Sequence, residues 1–224
     1  MGTLPLAIGI FGCDTQSVQE TTALVGSLEA LRELLAKGEV LDVSLGTDVV
    51  VVPTGAAFTG LSEAALELAA VFEVFGAKVE ALMIGDRAAS FEPYFVERVK
   101  GADLVVLSDG SALHAKSTWR GTPVGDAIRT APRLVAVGSC ASVLGEVMVD
   151  PRGGAPTTGL GYRPGLAVGV KASEEQLTRT RTLLGSEVTL AVLGPRGVVH
   201  FDGSTWRRAS DDVIVTRGHE VVAL

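Results

Sequence analysis

Leu134-Val-Ala-Val-Gly138-Ser-Cys140-Ala-Ser142 is a short apolar run that breaks into glycine and small residues. Four consecutive apolar residues without alternation read as a strand buried on both faces, as in a mostly parallel sheet. The Gly-x-Cys-x-Ser that follows, with the helix-like Val143–Val147 behind it, has the design of a nucleophile elbow. Such an elbow is a sharp strand-to-helix turn with small neighbours and one exposed central side chain. That central residue is Cys140, and the helix N-terminus at Ala141 would lower its thiol pKa and offer N–H groups to an oxyanion. The other reading of the same residues is a buried structural cysteine in a small-residue turn, because Ser142 stands where an elbow has its second glycine.

Outward from this stretch the pattern repeats. Leu4–Phe11, Asp48–Pro53, Lys78–Ile84 and Asp103–Leu107 are further runs rich in Val, Ile and Leu. Helical patterns separate them. Ser62 is placed to cap Glu63–Phe75, whose Leu68, Val71, Phe72 and Phe75 share one face and which Gly76 ends. Phe91–Lys100 and Thr122–Thr130 follow, the latter with Pro123 in its first turn. This alternation predicts a doubly wound, mostly parallel sheet flanked by helices. Beyond Gly145 come the turn-rich Asp150–Pro156 and Gly159–Gly165, then a helical pattern over Glu174–Leu184. The closing runs Val188–Val192, Val198–Phe201, Val213–Thr216 and Val221–Leu224 predict an antiparallel C-terminal edge extension of a single domain over residues 1–224.

Composition narrows the function. The 224 residues hold 19 Lys+Arg against 26 Asp+Glu, a net charge of -7, which argues against tracking a nucleic-acid backbone. With 47% hydrophobic and 20% charged residues there is ample material for a core. No stretch approaches the roughly 20 apolar residues that span a bilayer, so no membrane partner is expected. Two cysteines, Cys13 and Cys140, make no disulfide framework and suggest a reducing, cytoplasmic setting. His114, His200, His219 and the cysteines lack ligand spacing, and neither metal nor other cofactor is expected.

Further candidates lie at strand ends. Leu107-Ser-Asp-Gly110-Ser-Ala-Leu-His114 opens a small-residue loop where Asp109 and Gly110 can meet a ligand, Gly110 through its N–H. His114 reads as an alternative base or as an ordinary surface histidine. Asp150 and Arg152 read as a polar substrate anchor or as turn chemistry. Lys171, between Val170 and Ala172, reads as a snorkelling side chain, and Trp119 and Trp206 as packing residues.

The order of the pieces adds to this. Val-Val-Val-Pro-Thr-Gly-Ala-Ala (50–57), Phe-Gly-Ala-Lys-Val-Glu-Ala-Leu-Met-Ile (75–84), Ser-Asp-Gly-Ser-Ala-Leu-His (108–114), Gly-Ser-Cys-Ala-Ser (138–142) and Gly-Leu-Gly-Tyr-Arg-Pro-Gly (159–165) occur in sequence. Together they resemble the peptidase E/cyanophycinase family, which has a class I glutamine amidotransferase-like, flavodoxin-like fold. The resemblance implies a serine nucleophile in Gly-x-Ser-Ala-Gly, a histidine beyond the Gly-Leu-Gly loop, often a later carboxylate, and cleavage at aspartyl peptide bonds. Carried onto this chain, the nucleophile position is Cys140, the Gly-Gly oxyanion loop is Asp109-Gly110, and the histidine position is Lys171. Val192-Leu-Gly-Pro-Arg196, where the acid is expected, contains no carboxylate. The triad is degraded, and losing base and orienter together costs several powers of ten in rate.

Three functions follow in order. The first is a binding or partner subunit that has lost orthodox serine peptidase activity, with a crevice around Cys140, Gly110 and Asp150. Its ligand would be small and acidic or peptide-like, and its assembly a homodimer. The second is a Cys140-dependent amide or peptide hydrolase using His114 or Lys171. The third, a redox role, needs Cys13 and Cys140 on one sheet edge.

Overall fold

Thr21-Thr-Ala-Leu-Val25 forms a strand that the sequence reading passed over, because only its last three residues are apolar. A computed structural model describes residues 20–224; the predicted strand Leu4–Phe11 and Cys13 lie outside the described residues. The strand Thr21–Val25 (β1) leads into the helix Leu28–Lys37 (α1), also unpredicted. Ser27 caps α1 by accepting the Ala30 N–H at 3.2 Å, and Gly38, at φ +66°, ends it. Next come β2 (Asp48–Val52), α2 (Leu61–Glu73), β3 (Lys78–Ala81), α3 (Pro93–Gly101) and β4 (Leu104–Leu107). Gly60, not Ser62, stands at the head of α2, and Ser62 falls inside its first turn. Then α4 (Ala112–Trp119), α5 (Pro123–Arg129) and β5 (Arg133–Val137) complete the alternation.

Strands β5, β4, β2 and β3 run parallel beside β1, as the apolar runs predict. Alternate residues face opposite ways. Val49, Val51, Val106 and Val135 pack against Leu31 and Leu34 of α1 and Phe72 of α2. Val50, Val105, Leu107 and Ala136 pack against Val99 of α3, Trp119 of α4 and Ile128 of α5. Helices cover both faces, which is why these strands are apolar without alternation.

After β5 the chain departs from expectation. The helix-like Val143–Val147 is instead a 3-10 turn over Gly138–Val143 followed by the strand β6 (Val147–Val149). The carbonyls that a helix would use internally are taken from outside. Leu160, Arg163 and Gly161 N–H donate to the carbonyls of Val143, Leu144 and Gly145 at 2.7, 2.9 and 3.0 Å. The remaining elements are β7 (Pro156–Thr158), β8 (Ala167–Val170), α6 (Glu174–Leu184), β9 (Thr189–Leu193), β10 (Val198–Phe201), β11 (Trp206–Arg208), β12 (Val213–Arg217) and β13 (Glu220–Val221).

The tail divides between two sheets. β10 and β11 are the antiparallel edge extension, β10 lying against β1 to complete the order β11-β10-β1-β5-β4-β2-β3. The other tail strands join a second sheet, β13-β12-β9-β8-β6-β7. Met148, Val168, Ala191 and Val215 of that sheet share the core of Val50 and Trp119. Arg163, 2% exposed, ties the second sheet's entry loop to the first. Its guanidinium donates to Thr22 Oγ1 at 2.6 Å and to the Arg129 and Tyr162 carbonyls at 2.8 and 2.9 Å.

Candidate functional site

The carboxyl ends of β4 and β5 lie side by side, with Leu107 opposite Ala136. Both strands break there into small residues, so Ser108-Asp109-Gly110 and Gly138-Ser139 emerge as adjacent loops at the edge where open α/β sheets build their sites. Gly110 sits at φ +137°, and a Cβ there would meet the Gly55 carbonyl oxygen at 2.1 Å. Gly55 is equally confined, its own hypothetical Cβ falling 2.6 Å from Cys140 Sγ. Cys140 therefore points beneath the loop after β2, not into solvent. Ala141 beside it is also fully buried.

This corrects the expectation of an accessible, acidified thiol. The Cys140 pKa is pushed well up, first by burial and second by the nearby negative charge of Asp109. Lys171, at the histidine position, is paired elsewhere: its ammonium contacts Asp109 Oδ2. The two side chains are 60% and 34% exposed. Lys171 holds φ +55°, the only positive φ outside glycine among the described residues.

Asp109 is the hub. Its Oδ1 accepts the Gly110 N–H at 2.7 Å and the Ser139 N–H at 2.8 Å, one donor from each strand-end loop. Two backbone N–H groups converging on one anionic oxygen have the geometry of an oxyanion hole. The left-handed turn directly after β5 is made by Gly138, at φ +59°, and a Cβ there would lie 2.1 Å from the Asp109 carboxyl carbon.

The other candidates are engaged apart from this hub. On α4, His114 Nε2 donates to the Gly85 carbonyl at 2.8 Å, and its ring meets Phe58 edge-on. Asp150 and Arg152 satisfy each other, Arg152 Nη2 lying 2.8 Å from Asp150 Oδ2. The Arg152 side chain, then its N–H, holds the Asp150 carboxyl down at about 2. Trp119 is fully buried, and Trp206 Nε1 donates to the Pro164 carbonyl at 2.9 Å while its ring packs near Phe201. The region 192–196 holds no acid of its own, yet Asp212 comes against it from β12's approach. Asp212 Oδ2 accepts the Arg196 N–H at 2.8 Å.

Residues the sequence reading missed complete the setting. Ser139, Ser142 and Gln176, together with the already named Lys171, line a narrow crevice of about 70 Å³ beside Asp109. Lys171 also borders a second, mostly apolar crevice of about 310 Å³ with Gly26, Val170, Val192 and Pro195. The small residues after β5 were the signal for the first; nothing local in sequence joins the walls of the second. Among the described residues no group of three or more His, Cys, Asp or Glu is arranged for a metal, and no helix is long and apolar enough to cross a membrane.

No protein-family model matches the chain, and no curated protein does. Solved structures do. A peptidase from an acI-B1 Actinobacterium superposes with a TM-score of 0.66 at 18% identity, covering 92% of this chain and 97% of that one. A protein provisionally assigned as Peptidase E from Listeria monocytogenes EGD-e gives 0.56 at 13% identity, covering 89% and 98%. The fold is peptidase E-like. Within this peptidase E-like fold, Asp109, Gly110, Gly138, Ser139 and Lys171 come together, whereas His114, Asp150 and Arg152 hold separate contacts. Cys140 lies beneath the group rather than in it.

Proposed function

We propose that this chain uses the peptidase E-like scaffold as a cytoplasmic binding or partner subunit without orthodox serine peptidase chemistry, on one domain and as a homodimer. The observation that carries this reading is the Asp109 carboxylate seated on the Gly110 and Ser139 N–H groups. A scissile carbonyl would need the Gly110 donor as its oxygen gains charge, and the Asp109 carboxylate takes it. Two further features support it. The strained turn after the strand, where an elbow displays its nucleophile, falls on Gly138, which has no side chain. The Cys140 thiol is buried and held protonated, so the thiolate that attacks a carbonyl is scarce.

Purified protein incubated with Asp-X dipeptides and with Asp–Arg isopeptide oligomers is expected to give no turnover above buffer. Turnover that disappears in Cys140→Ala, while that variant keeps its circular dichroism, would overturn the reading and install the cysteine hydrolase.

A further inference from the structure

The Asp109 carboxylate occupies a complete anion-recognition set. Gly110 and Ser139 N–H hold one of its oxygens at 2.7 and 2.8 Å, and the Lys171 ammonium holds the other. The donors come from three separate segments: the loop after β4, the turn after β5 and the end of β8. Two backbone donors and a cation around a planar pair of oxygens suit a carboxylate.

Two features show that this grouping is more than a surface ion pair. Both backbone donors belong to loops whose glycines are confined by neighbouring backbone or by Asp109 itself, so the N–H pair is fixed in place. Lys171 reaches the carboxylate from a left-handed backbone conformation that residues other than glycine avoid. Beyond Lys171 opens the apolar crevice of about 310 Å³ walled by Gly26, Val170, Val192 and Pro195.

We propose that Asp109 is a built-in plug in a binding site for small carboxylates, and that the ligand carries a short apolar group into the neighbouring crevice. The ligand's carboxylate displaces that of Asp109 from the two N–H groups and takes Lys171 as its counter-ion. Its apolar part then lies along Val170 and Val192. Asp109 is partly exposed and can turn outward, so the plug acts as an intramolecular competitor that lowers the apparent affinity of the wild type. This inference rests on the reading that the site binds rather than hydrolyses.

The test is a titration of isotope-labelled full-length protein with acetate and with 3-methylbutanoate, chloride serving as control, followed by amide chemical shifts. In Asp109→Ala both carboxylates should bind saturably, with the Gly110 and Ser139 amides shifted most and affinity about tenfold or more above wild type. The 3-methylbutanoate should bind more tightly than acetate and also shift Val170 and Val192. Adding Lys171→Met to Asp109→Ala should weaken binding again. Folded Asp109→Ala with no saturable shift at the two amides overturns the proposal, as does equal affinity for the two carboxylates. Should Asp109→Ala not fold, Asp109→Asn decides: it keeps the acceptor and drops the charge, and must bind more tightly than wild type. Peptide turnover measured on the same samples keeps the readings apart. Turnover would remove the non-hydrolytic function, whereas absent carboxylate binding without turnover would remove only the plug.

Discussion

Gly138 and Asp109 occupy one space. At φ +59°, any side chain at 138 is strained by about 1–2 kcal/mol. Its Cβ would also fall on the Asp109 carboxylate, 2.1 Å from Cγ. Forcing atoms into a filled site adds typically about 1–3 kcal/mol. Gly138→Ala is therefore expected to lower unfolding free energy by about 2–5 kcal/mol in urea melts. In an Asp109→Gly background the clash is gone and only the backbone cost should remain. A double-mutant cycle should return a coupling of about 1 kcal/mol or more. Strict additivity would mean that the carboxylate does not sit over Gly138. Cys140 adds a contrast at the same scale, since the residue that looked most reactive is completely enclosed.

The connection from β8 to α6 concentrates the site's constraints. Lys171 closes β8 with a positive φ, and two residues later Ser173 begins α6 with a reciprocal cap. Ser173 Oγ accepts the Gln176 N–H at 3.3 Å, and the Gln176 side chain accepts the Ser173 N–H at 2.8 Å. A capped helix start so soon after a strand leaves two residues, Lys171 and Ala172, to absorb the change of direction, and Lys171 takes the left-handed conformation. Glycine would make that turn without strain, so lysine stands there against local preference. Lys171→Gly is expected to leave thermal stability unchanged or raise it slightly, because the exposed ion pair it deletes is worth little. The same variant should lose carboxylate binding when introduced into Asp109→Ala. A marked fall in melting temperature would show that the lysine holds the connection together rather than serving a ligand. Of this connection the helix Glu174–Leu184 was legible in the sequence, whereas the strand Ala167–Val170 and the Ser173 cap went unread. The left-handed residue was not legible either, because lysine carries no signal for positive φ.

Across the whole molecule, two sheets share one core and meet at the site. The first contributes the Asp109 and Gly138 loops; the second contributes Lys171. The second sheet ends in β12 and β13, where Ile214 and Val221 are 55% and 77% exposed. A short edge strand with outward apolar residues is a surface for pairing with another chain. Sedimentation velocity is expected to give a dimer, and Ile214→Glu to shift it toward monomer. A monomer at every concentration tested removes the homodimer, and a dimer indifferent to that change moves its interface off this edge. Assigning tail runs to one sheet or the other lay beyond sequence, because β9, β10 and β12 are all brief segments rich in aliphatic residues.

By itself the sequence determined the parallel core. Unbroken runs such as Val49–Val52 and Leu104–Leu107 can be buried on both faces only between layers, and capped amphipathic segments between them supply those layers. It also placed Asp109, Gly110 and Lys171 among the site candidates. Tertiary structure alone decided what they do. Whether Cys140 faces solvent depends on Gly55, far away in sequence, and whether Lys171 meets Cys140 or Asp109 depends on how two sheets are set against each other. Whether Val143–Val147 becomes a helix depends on carbonyls claimed by residues 160–163. Burial, ion pairing and hydrogen-bond competition are relations between distant segments, and no local pattern encodes which partner arrives first.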